Sequence, residues 1–207
     1  MEKTVLFRAD LSTAILTGAV ISQAVLVETR LAGRDLRDMT FTLTQFTGSD
    51  LSGCDFSGAT VTQCNFKGAN LASARFDRAI AGAALFIEAD LTGATFRKAD
   101  LSQSLFVDAR LPGADLSGAK LSTSIFTRAA CRAARFEGAD LTYADLSHAD
   151  VSGADFSGAT LVRARLHRIE DQGAVWPAGR ALALGDDADV VEAEEWQARV
   201  LRENARA

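Results

Sequence analysis

Few residues in this chain of 207 have the types and spacing that chemistry needs. The two histidines, His148 and His167, stand well apart in the chain, and no cysteine lies near them in its pattern. The three cysteines, Cys54, Cys64 and Cys131, form no metal-ligand motif, and no nucleophile stands beside a base. The pattern therefore predicts a protein that is not an enzyme and has no metal, cofactor or catalytic site.

A repeat of five residues positions all of these side chains. From Leu6 to Leu166, every fifth residue gives 33 positions, of which 17 are Leu and 11 are Phe. The residue two before each position is Ala in 23 cases, and the residue two after it is Gly in 12 cases. The unit is clearest in residues 89–93, A-D-L-T-G, and no insertion breaks it between Leu6 and Leu166.

A period of five fits neither a helix, which repeats every 3.6 residues, nor a simple strand, which repeats every two. Five residues can form one short extended side and one corner, where Gly supplies the positive φ. The Ala and the large residue then point inward together, because they are two apart on an extended segment. Four such sides close a square coil, on which the next coil stacks. His148 and His167 are predicted to point outward.

A second period, four times the first, supports the four-sided closure. Ten of the 11 in-register Phe residues fall in two columns on opposite sides of the coil. One column runs from Phe46 to Phe126 and the other from Phe56 to Phe156, with Phe41 as the exception. Rings that repeat at the strand spacing of about 4.8 Å can pack in an offset manner. We therefore expect two opposite columns of Phe inside the coils.

This repeat resembles the pentapeptide repeat family, whose motif is A(D/N)LXX, and the resemblance covers residues 4–168. It implies an all-β fold, a right-handed quadrilateral parallel β-helix. Such a solenoid would have about eight coils and a length of roughly 40 Å. We expect residues 169–188 to form a capping segment and loop, and residues 189–205 to form an amphipathic C-terminal α-helix.

The repeat also predicts the surroundings of the cysteines and of one irregular residue. Cys54 and Cys64 take Ala positions and Cys131 takes a Leu position, so all three are expected to be buried and unreactive. Arg34 stands where Ala is the rule. A guanidinium inside so narrow a coil would be desolvated without partners. We therefore expect a bulge or a loosened side near Arg34.

The distribution of charge argues against direct binding of nucleic acid, which needs a basic surface. The net charge is −5, and residues 1–168 hold 18 acidic and 18 basic side chains, so the excess lies in the tail. The longest uncharged apolar run has nine residues, whereas a membrane-spanning helix needs about 20, so no membrane partner is expected. Three cysteines form no disulfide framework, which favours a reducing compartment, and we expect a bacterial, cytoplasmic protein.

The resemblance also raises DNA gyrase as an alternative partner. In this family, the gyrase-protecting members of the Qnr and MfpA type carry a strongly acidic rod that mimics B-DNA. The present chain lacks the loop insertions of the Qnr type, and a basic spot interrupts any acidic strip: Arg75, Arg78, Arg97 and Lys98. One coil does carry a carboxylate on each side: Asp140, Asp145, Asp150 and Asp155. A second alternative is an accessory or fused module of a bacterial secretion apparatus.

Apolar residues at outward positions favour a protein partner. Most other outward positions hold Ser, Thr, Gly or a charged residue. The apolar ones on a single side are Val25, Val27, Leu85, Ile87, Leu105, Val107 and Ile125. Contiguous apolar patches commonly mark a contact, although a tail folded over them or simple β-propensity would also explain them. The favoured interpretation is a rigid, non-enzymatic scaffold that binds another protein and forms a homodimer.

The tail offers a second candidate contact. Trp176 is expected to cover the exposed core of the last coil. In the predicted helix, an apolar arc includes Val190, Trp196, Val200 and Leu201. This face is predicted to pack either on the end of the rod or on a second copy. In MfpA-like relatives a C-terminal helix mediates dimerisation, and this helix is similar in placement.

Overall fold

The computed structural model describes residues 3–16 and 21–204. Its named elements are strand β1 (Val5–Phe7), strand β2 (Val25–Val27), a 3₁₀ helix at Ala178–Leu182 and helix α1 at Ala188–Asn204. Strand β1 pairs with β2 in parallel. Among the described residues, no helix has both the length and the apolar character that crossing a membrane requires.

Most of the chain is wound into four-sided coils, each of which closes after four repeats of five. Each side of a coil contributes one parallel bridge to the equivalent residue of the next coil. The four sides of one coil give the pairs Leu85↔Leu105, Asp90↔Arg110, Thr95↔Asp115 and Asp100↔Lys120. A side of five residues is too short for a longer ladder, which explains why this β-helix-like fold shows only two named strands in its described part.

Stacked phenylalanine rings fill the interior of the coils. In the column from Phe46 to Phe126, the ring centroids of successive coils are 4.5–5.1 Å apart and the rings are nearly parallel. Rings of the two columns meet edge to face, as at 5.8 Å between Phe76 and Phe86. Both arrangements are favoured by the charge distribution of aromatic rings. The two Phe columns predicted from the longer period are thus the centre of the core.

Nearly every described side ends in a tight turn with a left-handed residue at its third position. After Phe86, the N–H of Ala89 donates to the Phe86 carbonyl at 3.2 Å, and Glu88 between them has a φ of 58°. Glu88 is one of many non-glycine residues at such corners, so glycine is less necessary there than the repeat suggested. The Glu88 N–H also donates to the Val107 carbonyl of the next coil at 3.0 Å. Bonds of this kind offset the left-handed strain of roughly 1–3 kcal/mol per residue.

The structure shows no bulge at Arg34, but the side is loosened as the alternative prediction had it, because Asp35 bridges Asp55 of the following coil and forms no bridge to Ile15 of the preceding one. The Arg34 N–H donates to the Leu31 carbonyl at 3.1 Å, and the Arg34 carbonyl accepts from the Asp55 N–H at 2.9 Å, so the backbone pattern towards the following coil is kept. The guanidinium donates to the carbonyl of Ser12 at 2.9 Å and to that of Ala14, both in the preceding coil. Two of the three guanidinium nitrogens therefore find carbonyl partners, which stabilise the charge, whereas Nε is buried without a hydrogen-bond partner.

The bridging pattern continues past residue 168, into the segment that was predicted to be a cap and loop. Glu170 bridges Asp150, and Val175 bridges Asp155. The 3₁₀ helix follows, after which Leu184 bridges back to Arg165. The coil geometry thus extends to Val175, although the A-x-L pattern has already faded.

A tryptophan closes this end of the core. Trp176 follows Phe156 in its column, and the two rings stack with centroids 4.4 Å apart and an interplanar angle of 3°. The indole N–H donates to Asp171 at 3.2 Å. The guanidinium of Arg180 lies over the Trp176 ring, 4.3 Å from its centroid. We refer to these three side chains, Trp176, Asp171 and Arg180, as the tryptophan cap.

Replacing the two tryptophans separately tests the cap. Trp176→Ala removes a ring stacked on the core and should lower the free energy of unfolding by about 2 kcal/mol or more. Trp196→Ala is the matched control, because Trp196 is 59% exposed and should change it by no more than about 0.5 kcal/mol. Urea unfolding followed by circular dichroism measures both. Equal shifts for the two variants would contradict the capping role of Trp176.

Candidate functional site

Five of the predicted contact residues form one apolar stack on a side of the rod. They are Leu85, Ile87, Leu105, Val107 and Ile125, and we refer to them as the side stack. Leu85 bridges Leu105, which in turn bridges Ile125, so these side chains stand above one another on three successive coils. Each residue of the side stack is half-buried, because its neighbours cover part of it.

The other two predicted contact residues, Val25 and Val27, are separated from the side stack. The column that contains Val25 continues through Gln45 and Asn65, two polar residues, before it reaches the stack. Val25 and Val27 instead pair with strand β1, in which Phe7 is 58% exposed. The structure therefore divides the predicted contact surface into two apolar patches on one side.

Helix α1 faces the rod with polar groups. Val190 is 44% exposed and Trp196 is 59% exposed, whereas Glu194 is half-buried. The tryptophan cap covers the core at the end of the rod, and Val190 and Trp196 of the predicted apolar face do not pack there. The side chains of Val200 and Leu201 lie outside the described residues. The alternative, that this face meets a second copy, stays a prediction.

Glu194 anchors helix α1 to the rod. Its Oε1 lies 3.2 Å from His148 Nε2, and its Oε2 lies 3.3 Å from His167 Nε2 and 3.0 Å from Arg168 Nε. Arg168 also contacts Glu195 at 3.2 Å. One carboxylate of the helix therefore meets three basic side chains from two neighbouring coils.

The two histidines come together, contrary to the sequence analysis, which found no group of metal ligands. Their ring centroids are 5.3 Å apart, and the rings are perpendicular. Together with Glu194 they offer three ligand atoms that all lie within 4.8 Å of one another. His167 lies outside the coil, as its predicted outward position requires, but it is only 9% exposed. Helix α1 covers it.

Part of this cluster was detectable in the sequence. The gap between His148 and His167 is one residue short of the coil period, so the two must lie on neighbouring coils at adjacent positions. Sorting the outward residues by the coil period, as was done for the inward ones, would have revealed the pair. No signal in the repeat predicts Glu194, because its position depends on how the helix docks.

The surroundings of Glu194 favour its ionised form. Partial burial acts to raise its pKa, but the hydrogen bond from His167 and the Coulombic effects of His148, His167 and Arg168 outweigh that effect. The pKa of Glu194 is lowered as a result. A cleft of about 500 Å³ opens beside the cluster and is lined by both histidines, Glu194, Asp145 and Arg165.

Sequence profiles of one family match most of the repeat. A profile described as a pentapeptide repeat region matches residues 59–131, and a profile of pentapeptide repeats (8 copies) matches residues 24–63 and 129–168. The chain belongs to the pentapeptide repeat family. A search of curated protein sequences finds no significant match.

Solved structures of other pentapeptide repeat proteins are also similar. HetL from the cyanobacterium Nostoc, involved in heterocyst differentiation regulation, is 26% identical over 90% of this chain and 86% of that chain, with a TM-score of 0.45. Trypsin-treated QnrB1, a plasmid-mediated fluoroquinolone resistance protein, is 22% identical over 100% and 97%, with a TM-score of 0.49. A protein from the Arabidopsis thaliana thylakoid lumen is 31% identical over 56% and 70%, with a TM-score of 0.35. The family assignment itself rests on the profiles.

The three thiols of this pentapeptide repeat protein are buried among core residues. Burial raises the pKa of Cys54 to about 11 and that of Cys64 to about 12, and it raises the pKa of Cys131 as well. The Cys54 thiol donates to the Leu31 carbonyl at 3.0 Å. Thiols of this kind pack like small apolar groups, and they are poor nucleophiles and metal ligands.

Thiol labelling tests this environment. With a pKa of about 11, roughly one Cys54 side chain in a thousand is a thiolate at pH 8. Its burial also keeps the reagent away from the sulfur. We expect Ellman's reagent to label no thiol of the folded protein while it labels an exposed control, Ser157→Cys, rapidly. Denaturation should release all three native thiols. Rapid labelling of a native thiol in the folded protein would contradict the burial.

Proposed function

We propose that this pentapeptide repeat protein is a rigid, non-enzymatic rod that binds another protein through its side stack. The observation that carries the proposal is the alignment of five aliphatic side chains on three coils of a surface that is otherwise mostly polar. The buried column of Phe86, Phe106 and Phe126 lies behind them, so the surface is held in place before any partner arrives. A right-handed winding of about eight coils, roughly 40 Å long, belongs to the same proposal.

A second copy of the chain is the partner that we propose. Two rods with a two-fold axis between them can place one side stack against the other. Charged corner residues flank the stack. Glu88, Asp108 and Arg128 occupy the same corner on three successive coils, in that order. In an antiparallel pair centred on the coil of Leu105, Glu88 would face Arg128 of the second copy. Such charge complementarity favours this register over others.

Light-scattering mass of three proteins tests the dimer. The wild type is expected to be a dimer, and Leu105→Asp should weaken it roughly a hundredfold, because a carboxylate buried without a partner costs about 3 kcal/mol. The matched control is Gln45→Asp, which adds the same charge to the same column but outside the side stack. Trp196→Asp tests the exposed face of helix α1 in the same way.

The outcomes separate the two surfaces. A dimer that only Leu105→Asp dissociates supports the side stack as the interface. Dissociation by Trp196→Asp alone would transfer the interface to helix α1. A monomeric wild type would contradict self-association and leave the side stack as a surface for a different protein.

The pairing of charges argues against a DNA-like surface. DNA gyrase is therefore only the second candidate partner. Arg97 contacts Asp77 at 2.8 Å, and Arg128 contacts Asp108 at 2.7 Å, in each case between neighbouring coils. The basic spot predicted from the sequence lines a cleft of about 540 Å³ together with Arg37. Mimicry of phosphates needs an uninterrupted negative potential, which such pairs and such a cleft disrupt. Only the coil with four carboxylates favours this candidate.

A supercoiling assay tests the gyrase alternative. Because its acidic groups are interrupted by cations, the protein should neither inhibit gyrase nor protect it from a quinolone at micromolar concentration. The acidic coil supplies the control, as Asp145→Asn with Asp150→Asn should behave like the wild type. Protection that the wild type provides and this double variant loses would establish DNA mimicry instead.

A further inference from the structure

We propose that His148, His167 and Glu194 form a binding site for one divalent transition-metal ion of the zinc class. Two imidazole nitrogens and one carboxylate oxygen are typical zinc ligands, whereas magnesium and calcium prefer sites made of oxygen alone. The three ligand atoms all lie within 4.8 Å of one another. The site brings together two coils of the rod and helix α1.

The two distances between Glu194 and the histidines fit tetrahedral coordination, and the two histidine nitrogens lie within 4.8 Å of each other. Zinc bonds of about 2.0–2.1 Å place neighbouring ligand atoms of a tetrahedron about 3.3 Å apart. Glu194 Oε1 lies 3.2 Å from His148 Nε2 and 3.3 Å from His167 Nε2. An ion can therefore take its position between the three side chains after small movements.

The groups behind the ligands suit a metal site as well. His167 is nine-tenths buried, and its Nδ1 has no hydrogen-bond partner. Asp186 Oδ1 lies 3.4 Å from that nitrogen, and a metal-binding histidine usually directs its second N–H at a carboxylate. Arg168 Nε holds Glu194 Oε2 at 3.0 Å, which leaves Oε1 for the ion. Glu195 lies 3.2 Å from the same guanidinium and offsets part of its positive charge.

The cleft beside the cluster supplies the remaining requirements. Its volume of about 500 Å³ gives an ion a path of entry and leaves room for water at the fourth coordination position. Because Glu194 belongs to helix α1 and both histidines belong to the rod, a bound ion would tie the helix to the coils. The ion would thereby fix the exposed face that carries Trp196.

Zinc titration of the full chain tests the site. The protein is prepared without a histidine tag and freed of bound metal with a chelator. It then competes for zinc with a chromophoric chelator. We expect one zinc ion per wild-type chain. His148→Gln, His167→Gln and Glu194→Gln should each raise the Kd at least tenfold, as the loss of a ligand does. Glu192→Gln, which changes an exposed carboxylate of the same helix, should bind zinc like the wild type.

Two further readouts separate a metal site from a structural effect. Circular dichroism checks that each variant retains its fold, and zinc should slow trypsin cleavage after Arg199 in the wild type and in Glu192→Gln but not in Glu194→Gln. Absence of stoichiometric binding by the wild type, or wild-type affinity in all three folded ligand variants, would overturn the proposal. Loss of affinity in both histidine variants with none in Glu194→Gln would also overturn it, since the helix would then supply no ligand.

Discussion

Each residue of a coil pairs with the equivalent residue of the next coil, four five-residue repeats later. This register between successive coils is the constraint on which the rest of the structure depends. A single coil can satisfy few of its own backbone groups, and its hydrogen bonds run to the coils above and below, as from Phe86 N–H to the Leu105 carbonyl at 2.7 Å. The same register places ring over ring in the Phe columns. Backbone pairing and core packing therefore reinforce each other, and a shift in one would disrupt the other.

A fold of this kind must solve a problem at its ends, because the last coil exposes both a ring and a row of backbone groups. At the C-terminal end Trp176 extends the column by one aromatic ring, and Arg180 covers that ring in turn. With the core closed in this way, helix α1 is not needed as a lid. It docks through Glu194 on the side, and Val190 and Trp196 stay exposed.

The outward positions are under a different constraint from the inward ones. Core positions accept only small or apolar side chains of suitable size, whereas an outward side chain needs only to be compatible with the one above and the one below it. This freedom allows one side to carry aliphatic residues over three coils and basic and histidine residues near its end. The sides of the rod are therefore the surfaces on which neighbouring coils can place selected residues next to one another.

By itself, the sequence determined the period, the inward and outward positions and the two Phe columns, because each is a local property repeated many times. The burial of Cys54 and the place of Trp176 followed from the same count. The tertiary structure decided what happens where the count stops: how Arg34 finds carbonyl groups in the preceding coil, and which face of helix α1 meets the rod. The contact between Glu194 and His148 depends on that docking. The docking forms polar contacts and leaves apolar side chains exposed, and it involves residues that are far apart in the chain.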